Sequence, residues 1–466
     1  MLKKIQAGLS LFRQALVGNA TINYTEGSIA RATFLLSVPM ILEMAMESVF
    51  AIVDIFFVAG LGAEAVATVG LTEAVISLLY ALAIGLSMAA TALVARRIGE
   101  NNPAAAAVVA GQAIWVGMAV SVLVGVTGFF YAGRILTLMG ADAAVLATGE
   151  TYTRIMFSGA FTIVFLFLNN AIFRGAGDAS IAMRALILAN GINIVLDPVL
   201  IYGWGPFPEL GLTGAAVATN IGRGVGVAYQ IYYLCAHNRR IRLALTDLVL
   251  RLSIVLQLLR ISVGGIAQFL IATASWVFLM RLVSNFGNEA VAGYTIAIRV
   301  IIFVILPSWG LSNAVATLVG QNLGAGKPDR AERTVWQVVG YNVSYMLMVG
   351  LVLIFFPVWV MGFFSQNPDV VANGIQSLRI LSYGFVFLAI GSVVTQAFNG
   401  AGDTMTPTWI NGFSFWLVQI PLAWTLAMAA GWGAEGVYWS IFIGDLTMGI
   451  IGTVLFMRGS WKRLAV

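Results

Sequence analysis

From Phe34 onward the chain returns again and again to apolar runs too long for a soluble core and of the right length to cross a lipid bilayer. About 20 predominantly apolar residues span the hydrocarbon as a helix, the one open-ended structure that satisfies every backbone N–H and C=O within its own segment. Runs bounded by Gly, Pro, Asn and clustered charge extend from Phe34 to Ala59, Leu71 to Ala95, Ala105 to Tyr131, Tyr152 to Phe173, Ile181 to Tyr202 and Leu212 to Leu234. Six more begin near Ser253, Val291, Val335, Leu378, Thr408 and Gly436. The expectation is an all-α membrane protein of twelve transmembrane helices. Composition agrees: 60% of the 466 residues are hydrophobic and 10% are charged, against about 25% charged in soluble domains. A single cysteine, Cys235, excludes a disulfide framework, and a single histidine, His237, argues against a His-based metal or catalytic centre. No cofactor and no enzymatic activity are expected.

Basic residues gather in alternate connections: Lys3, Lys4, Arg13 and Arg31; Arg96 and Arg97; Arg174 and Arg184; Arg239, Arg240 and Arg242; Lys327, Arg330 and Arg333; Arg458, Lys462 and Arg463. The positive-inside rule turns these segments, and both termini, toward the cytoplasm of a multi-pass inner-membrane protein. The net charge of +5 is divided among loops with no continuous basic face, which points to anionic membrane lipids and not to nucleic acid. No cleavable signal peptide pattern is seen ahead of the first run. Leu2, Ile5, Leu9, Phe12 and Leu16 fall at helical spacing beside Lys3, Lys4 and Arg13, the pattern of an interfacial helix, with a disordered tail as the alternative. The expected organisation is an N-terminal segment (1–33), a six-helix lobe (34–236), an inter-lobe linker (237–252), a second six-helix lobe (253–458) and a tail (459–466).

The two lobes are copies of one another. At an offset of 225 residues, Gly62, Glu64, Ala65, Val66 and Ala67 match Gly287, Glu289, Ala290, Val291 and Ala292. Gly99 and Pro103 match Gly324 and Pro328, and Phe173, Gly175, Ala176, Gly177 and Asp178 match Phe398, Gly400, Ala401, Gly402 and Asp403. Near the sixth and twelfth spans the offset becomes 222, where Gly211 and Gly214 match Gly433 and Gly436. Six spans per half give both halves the same orientation, so they should be related by an axis along the membrane normal and face one another across a cleft, as in transporters that rock one half against the other.

These motifs resemble those of the multidrug and toxic compound extrusion (MATE) transporters over essentially the whole chain. Pro39, Val53-Asp54 and Gly60-Leu61-Gly62-Ala63-Glu64-Ala65-Val66-Ala67 look like that family's first span and following loop. Arg174-Gly175-Ala176-Gly177-Asp178 and Asn399-Gly400-Ala401-Gly402-Asp403 look like its fourth-to-fifth and tenth-to-eleventh connections. Asn193 and Asp197-Pro198 are similar to the fifth span of prokaryotic members whose ion site lies in the N-terminal half, and Tyr152 resembles a family site tyrosine by its spacing before Asp197. The resemblance implies a V-shaped pair of six-helix bundles and efflux of varied, often cationic, amphiphiles, driven by inward flow of protons or sodium.

Carboxylates at bilayer depth are costly, which makes them the natural functional candidates. Glu43, Glu47 and Asp54 of the first span lie within about 40° of one another on a helical wheel, and about 16 Å of helix separates the first from the last. Asn190, Asn193 and Asp197 share one face of the fifth span. Asp54 is expected to meet Asn193 and Asp197, forming a pair that can hold a proton or, with Thr219, coordinate sodium through Asp54, Asn193 and Asp197. The alternative is that these acids only brace neighbouring helices. Glu43, Glu47 and Asn190 are candidates for an ion pathway or substrate contact. At the 225 offset the second half has Gln268, Ala272 and Leu279, then Val418 and Leu422, in place of this set, so coupling should reside in the first half. Arg223 and Asp445, equivalent at the 222 offset, are read as buried structural charges.

Gly-Ala-Gly-Asp is read as a turn, since no Gly-Lys-Ser/Thr signature follows, and Walker-type ATP hydrolysis is not expected. The function expected is ion-coupled antiport of small amphipathic molecules by a monomer. Its rivals are a lipid-linked saccharide flippase of related architecture and a non-transport membrane enzyme or assembly protein.

Overall fold

The structure, a computed structural model, describes residues 2–18, 22–236 and 240–464; His237 and Arg239 lie outside them. The N-terminal half comprises α1 (Leu2–Val17), α2 (Ile29–Ala59), α3 (Ala63–Gly99), α4 (Pro103–Leu138), α5 (Ala143–Ser158), α6 (Ala160–Ala176), α7 (Ala179–Ile201) and α8 (Leu212–Cys235). The C-terminal half follows with α9 (Leu252–Val283), α10 (Asn288–Gly324), α11 (Pro328–Phe355), α12 (Pro357–Gly362), α13 (Pro368–Tyr383), α14 (Phe385–Ala401), α15 (Met405–Asn411), α16 (Ile420–Trp424) and α17 (Ala434–Met457). Among the described residues, ten spans are long and apolar enough to cross a membrane when the bent pairs α5–α6 and α13–α14 each count once. The helices α2 and α8, which carry Glu43, Glu47, Asp54 and Arg223 in their interiors, complete the twelve.

The helices run past the apolar boundaries because polar residues in the connections cap them. The side chains of Ser28, Asn102 and Asp142 accept from the backbone N–H groups of Arg31, Ala105 and Val145, closing the N-termini of α2, α4 and α5. At the other end, α6 and α14 stop at Gly177 and Gly402, whose φ values of 86° and 88° are left-handed and favour glycine. These are the second glycines of the two Gly-Ala-Gly-Asp motifs, so the repeat preserves a backbone geometry. The fourth span is not straight: it breaks at Gly159, where the Ile155 carbonyl accepts both from the Gly159 N–H and from Asn220 Nδ2, each at 3.0 Å, and the tenth breaks at its equivalent, Gly384. The bends are 40° and 52°.

The repeat also dictates how the lobes meet. The helix α3 packs on α9 and α10, and α2 packs on α10. Gly85 of α3 lies against Ser262 and Ile266 of α9, while its equivalent Gly310 of α10 lies against Ile41 of α2, the equivalent of Ile266. Gly99 abuts the backbone of Gln321, and Gly324 abuts that of Arg96; the two glycines are 225 residues apart, as are Arg96 and Gln321. Ala95 and Gly320, themselves equivalent, touch one another and so mark the pseudo-two-fold axis. Glycine lets the backbones approach this closely. Thr317 Oγ1 and Gln321 Nε2 add donations to the Arg174 and Gly175 carbonyls, at 3.0 Å and 2.9 Å. All of these contacts lie in the half of the bundle that carries the Arg96–Arg97 and Lys327–Arg330 loops. The N-terminal segment is helical, and Lys327 and Arg330 hold its connection to α2 through the carbonyls of Thr25, Glu26 and Gly27.

One equivalence differs from the constant 225 offset. Gly222 of α8 lies against Asn193, and its counterpart Gly444 lies against Gln419; Gly214 lies against Leu200 and Ile201, and Gly436 against Leu426 and Ala427. The eleventh span therefore follows the fifth at an offset of 226, which makes Gln419 and Ala423 the counterparts of Asn193 and Asp197, in place of Val418 and Leu422. The physical reason lies in the helix itself. Residues Gly412–Gln419 and Thr425–Ala429 wind in wide π-helical turns, which absorb an extra residue without ending the helix.

Candidate functional site

The charged interior of the N-terminal lobe forms along the buried face of α2. Near its C-terminal end, Asp54 is 9% exposed; α2 packs on α7, where Asp197 is fully buried within range of the charge of Asp54. Asn193, one turn before Asp197, donates through Nδ2 to Asp197 Oδ1 at 3.1 Å and to Thr219 Oγ1 of α8 at 3.2 Å. This leaves Asn193 Oδ1 and Asp197 Oδ2 buried without hydrogen-bond partners. Two buried oxygens thus remain free to accept a proton, an ion or a water. Tyr152 of α5 is buried in the same electrostatic neighbourhood as Asp54, and its hydroxyl makes no side-chain hydrogen bond among the described residues. Pro198 inside α7 lacks an N–H, which frees a carbonyl one turn earlier, beside Asp197.

Glu43 occupies a different setting, about three turns nearer the N-terminus of α2. It accepts from Asn170 Nδ2 at 3.0 Å and pairs with Arg174 at 3.4 Å. Asn170 is in turn held by Gln230 Nε2, which donates to its Oδ1 at 2.6 Å. Glu43 is therefore a partnered carboxylate that ties α2 to α6 and α8. Glu47 lies between the two clusters with Asn190 beside it, and Asn190 Nδ2 donates to the Met46 carbonyl at 3.0 Å. The first-span acids thus share a face, as the helical spacing implies, but face three different environments.

Two residues change the electrostatics of the middle layer. Arg223 of α8 donates to Tyr80 Oη of α3 at 2.8 Å and lies over the rings of Phe50 and Tyr80, 5.2 Å and 6.0 Å from their centroids. Its charge interacts with Glu47 and Asp54 of α2 and with Glu73 of α3. Glu73 was not among the sequence candidates; it stands three residues into the second apolar run, where an isolated acid reads as an interface residue. Asn170, Gln230 and Tyr80 were missed as well, because their significance depends on partners 60 to 143 residues away. In the C-terminal lobe, Asp445 makes no side-chain hydrogen bond or ion pair among the described residues, and its carboxylate stands against Gly384 at the break of the tenth span. Gln419, at the position equivalent to Asn193, keeps a buried Oε1 without a partner.

Comparison with known proteins adds a second line of observation. The family model described as MatE matches residues 39–199 and again 265–425, one copy in each half. A probable multidrug resistance protein NorM of Thermotoga maritima is 26% identical over 433 residues, covering 92% of this chain and 93% of that protein. A protein of Shewanella oneidensis named FAD transporter is 26% identical over 430 residues, covering 92% and 95% respectively. A solved structure described as the outward-facing conformation of a multidrug resistance MATE family transporter superposes with a TM-score of 0.88 at 28% identity, over 95% of this chain and 98% of that one.

Proposed function

The chain belongs to the MatE family, the multidrug and toxic compound extrusion transporters, and from that premise we propose that it is a secondary antiporter expelling small amphipathic, often cationic, molecules in exchange for an inward-moving proton or sodium ion. What supports the proposal is the Asn193–Asp197 pair on the fifth span, with the charge of Asp54 on the first span near enough to act on Asp197, inside a single lobe. Two carboxylates in a medium of low dielectric repel one another, and a proton bound by either removes that repulsion. Sodium would use the same oxygens together with Asn193 Oδ1 and Thr219 Oγ1.

Either cation changes the balance of forces between α2 and α7. Ionised, the pair holds the two helices under electrostatic strain; neutralised, it lets them pack. Because α2 also packs on α10 of the other lobe, a change at Asp54 is transmitted directly to the inter-lobe surface. The lobes touch at the end bearing the basic loops, and with that end in the cytoplasm of an inner-membrane protein the cleft opens outward. Both termini then lie inside, and the monomer exchanges its cargo by alternating access in contact with membrane lipid.

Ethidium efflux from proteoliposomes under separately imposed proton and sodium gradients tests this. Asp54→Asn and Asp197→Asn should each abolish gradient-driven efflux while the protein remains folded. Transport at parental rates in both variants would remove the site assignment.

A further inference from the structure

We propose that Arg223 is a resident cation that selects the coupling ion: by fixing one positive charge among the acids of the N-terminal lobe, it makes that lobe accept a proton and reject sodium. The inference rests on the antiport proposed above and decides which ion drives it.

Arg223 is 6% exposed, and a guanidinium, unlike an amine, keeps its charge when buried. It is not locked in an ion pair: no carboxylate of the described residues lies within 4 Å of it, and Nη1 is buried without a partner. Instead it is held from the side by Tyr80 Oη and by the faces of Phe50 and Tyr80. That arrangement fixes the position of the charge while leaving its field directed at the acids. The titratable groups facing it are Glu47 and Asp54 on α2, Glu73 and Tyr80 on α3, and Tyr152 on α5.

Such a charge discriminates between ions by what each requires. Sodium keeps its full charge and needs a shell of several oxygens, and the fixed charge of Arg223 repels it at every point of that shell. A proton becomes part of one carboxyl group and needs no shell, so it suffers only the shift in affinity that the nearby charge imposes. Arg223 is thus a positioning residue, acting on the ion through the acids and not by touching it. Its counterpart in the other lobe is Asp445, of opposite sign, which is consistent with the two lobes treating cations differently.

The test compares the parent, Arg223→Gln, Arg223→Lys and Asp54→Asn in proteoliposomes, reading ethidium transport against pH with and without a sodium gradient. The parent should be driven by a proton gradient and be indifferent to sodium, and Arg223→Lys should keep both properties. Arg223→Gln should move the half-maximal pH of transport upward by about one unit, a tenfold gain in proton affinity, and should acquire stimulation by sodium. A folded Arg223→Gln with the parental pH midpoint and no sodium response overturns the proposal. So does sodium-driven transport by the parent, an outcome that decides the matter even where Arg223→Gln does not fold. Full activity in Asp54→Asn would instead defeat the antiport site itself, whatever Arg223→Gln does.

Discussion

Gly324→Ala should push the lobes out of their present closed contact at the basic-loop end. A Cβ built on Gly324 presses on the Arg96 carbonyl oxygen and comes within 3.0 Å of both the Arg96 carbonyl carbon and the Glu100 nitrogen, all backbone atoms of α3 or its cap that cannot rotate away. At the equivalent Gly99 the same atom comes within 2.7 Å of the Gln321 carbonyl carbon. Ordinary separations for such atoms are about 3.5–4.0 Å, so the helices must part by about an ångström. Overpacking of this kind costs about 1–3 kcal/mol. Because the contact crosses the lobes, the cost falls on the closed arrangement and not on one in which α3 and α10 separate at this end. The ratio of the two should therefore shift by about 5- to 150-fold. Spin labels at Ala104→Cys and Asp329→Cys, equivalent positions at the start of α4 and α11, report the separation once the exposed Cys235 has been replaced by serine. Double electron–electron resonance should give one short distance in the parent and an added longer population in Gly324→Ala, with Gly99→Ala shifted in the same direction. A distance distribution unchanged from the parent in both variants refutes the reasoning.

Three further outcomes follow from the buried network and the tail. Asn193→Ala removes the donor shared by Asp197 and Thr219 and should lower stability by about 1–3 kcal/mol together with transport, measured by thermal unfolding in detergent and by efflux. Glu43→Ala leaves Arg174 and Asn170 without their buried acceptor and should cost about 3–5 kcal/mol in the same unfolding assay, whereas Glu47→Gln, which breaks no ion pair, should cost far less. Lys462 of the tail binds Glu332 and Asp329, which raise its ammonium above the ordinary lysine range, its hydrogen bond to Glu332 contributing most. A raised folded value stabilises below the unfolded value and is lost as pH climbs through the folded one. Lys462→Met should thus lower stability at pH 8 by less than about 1 kcal/mol for so exposed a contact, seen as a small drop in melting temperature, and the difference should vanish at strongly alkaline pH.

The architecture was legible because bilayer thickness and backbone hydrogen bonding leave few options for runs such as Phe34–Ala59, and because Gly99 and Gly324 close helices beside polar turns, where chance similarity is rare. Asp54, Asn193 and Asp197 were legible for the same kind of reason: charge inside an apolar run demands an explanation. The breaks at Gly159 and Gly384 were not, since a chain with 50 glycines gives no local mark of which ones end a helix. The extra residue in the eleventh span was also hidden, because an apolar helix offers no polar landmark to show that Gln419, and not Val418, has taken the place of Asn193. Arg223 was visible as a charge, but its aromatic support by Phe50 and Tyr80 depends on two other helices.

The reciprocal glycine contacts between the lobes have the form of an isologous interface: one patch used twice, each copy receiving the other. That is the geometry by which two identical six-helix subunits would dimerise. Fusing them into one polypeptide freed each to change alone, so that one could keep acids where its twin holds Leu279 and Ala423 while their shared seam stayed intact. A chain cut between the halves should for the same reason reassemble from its two pieces.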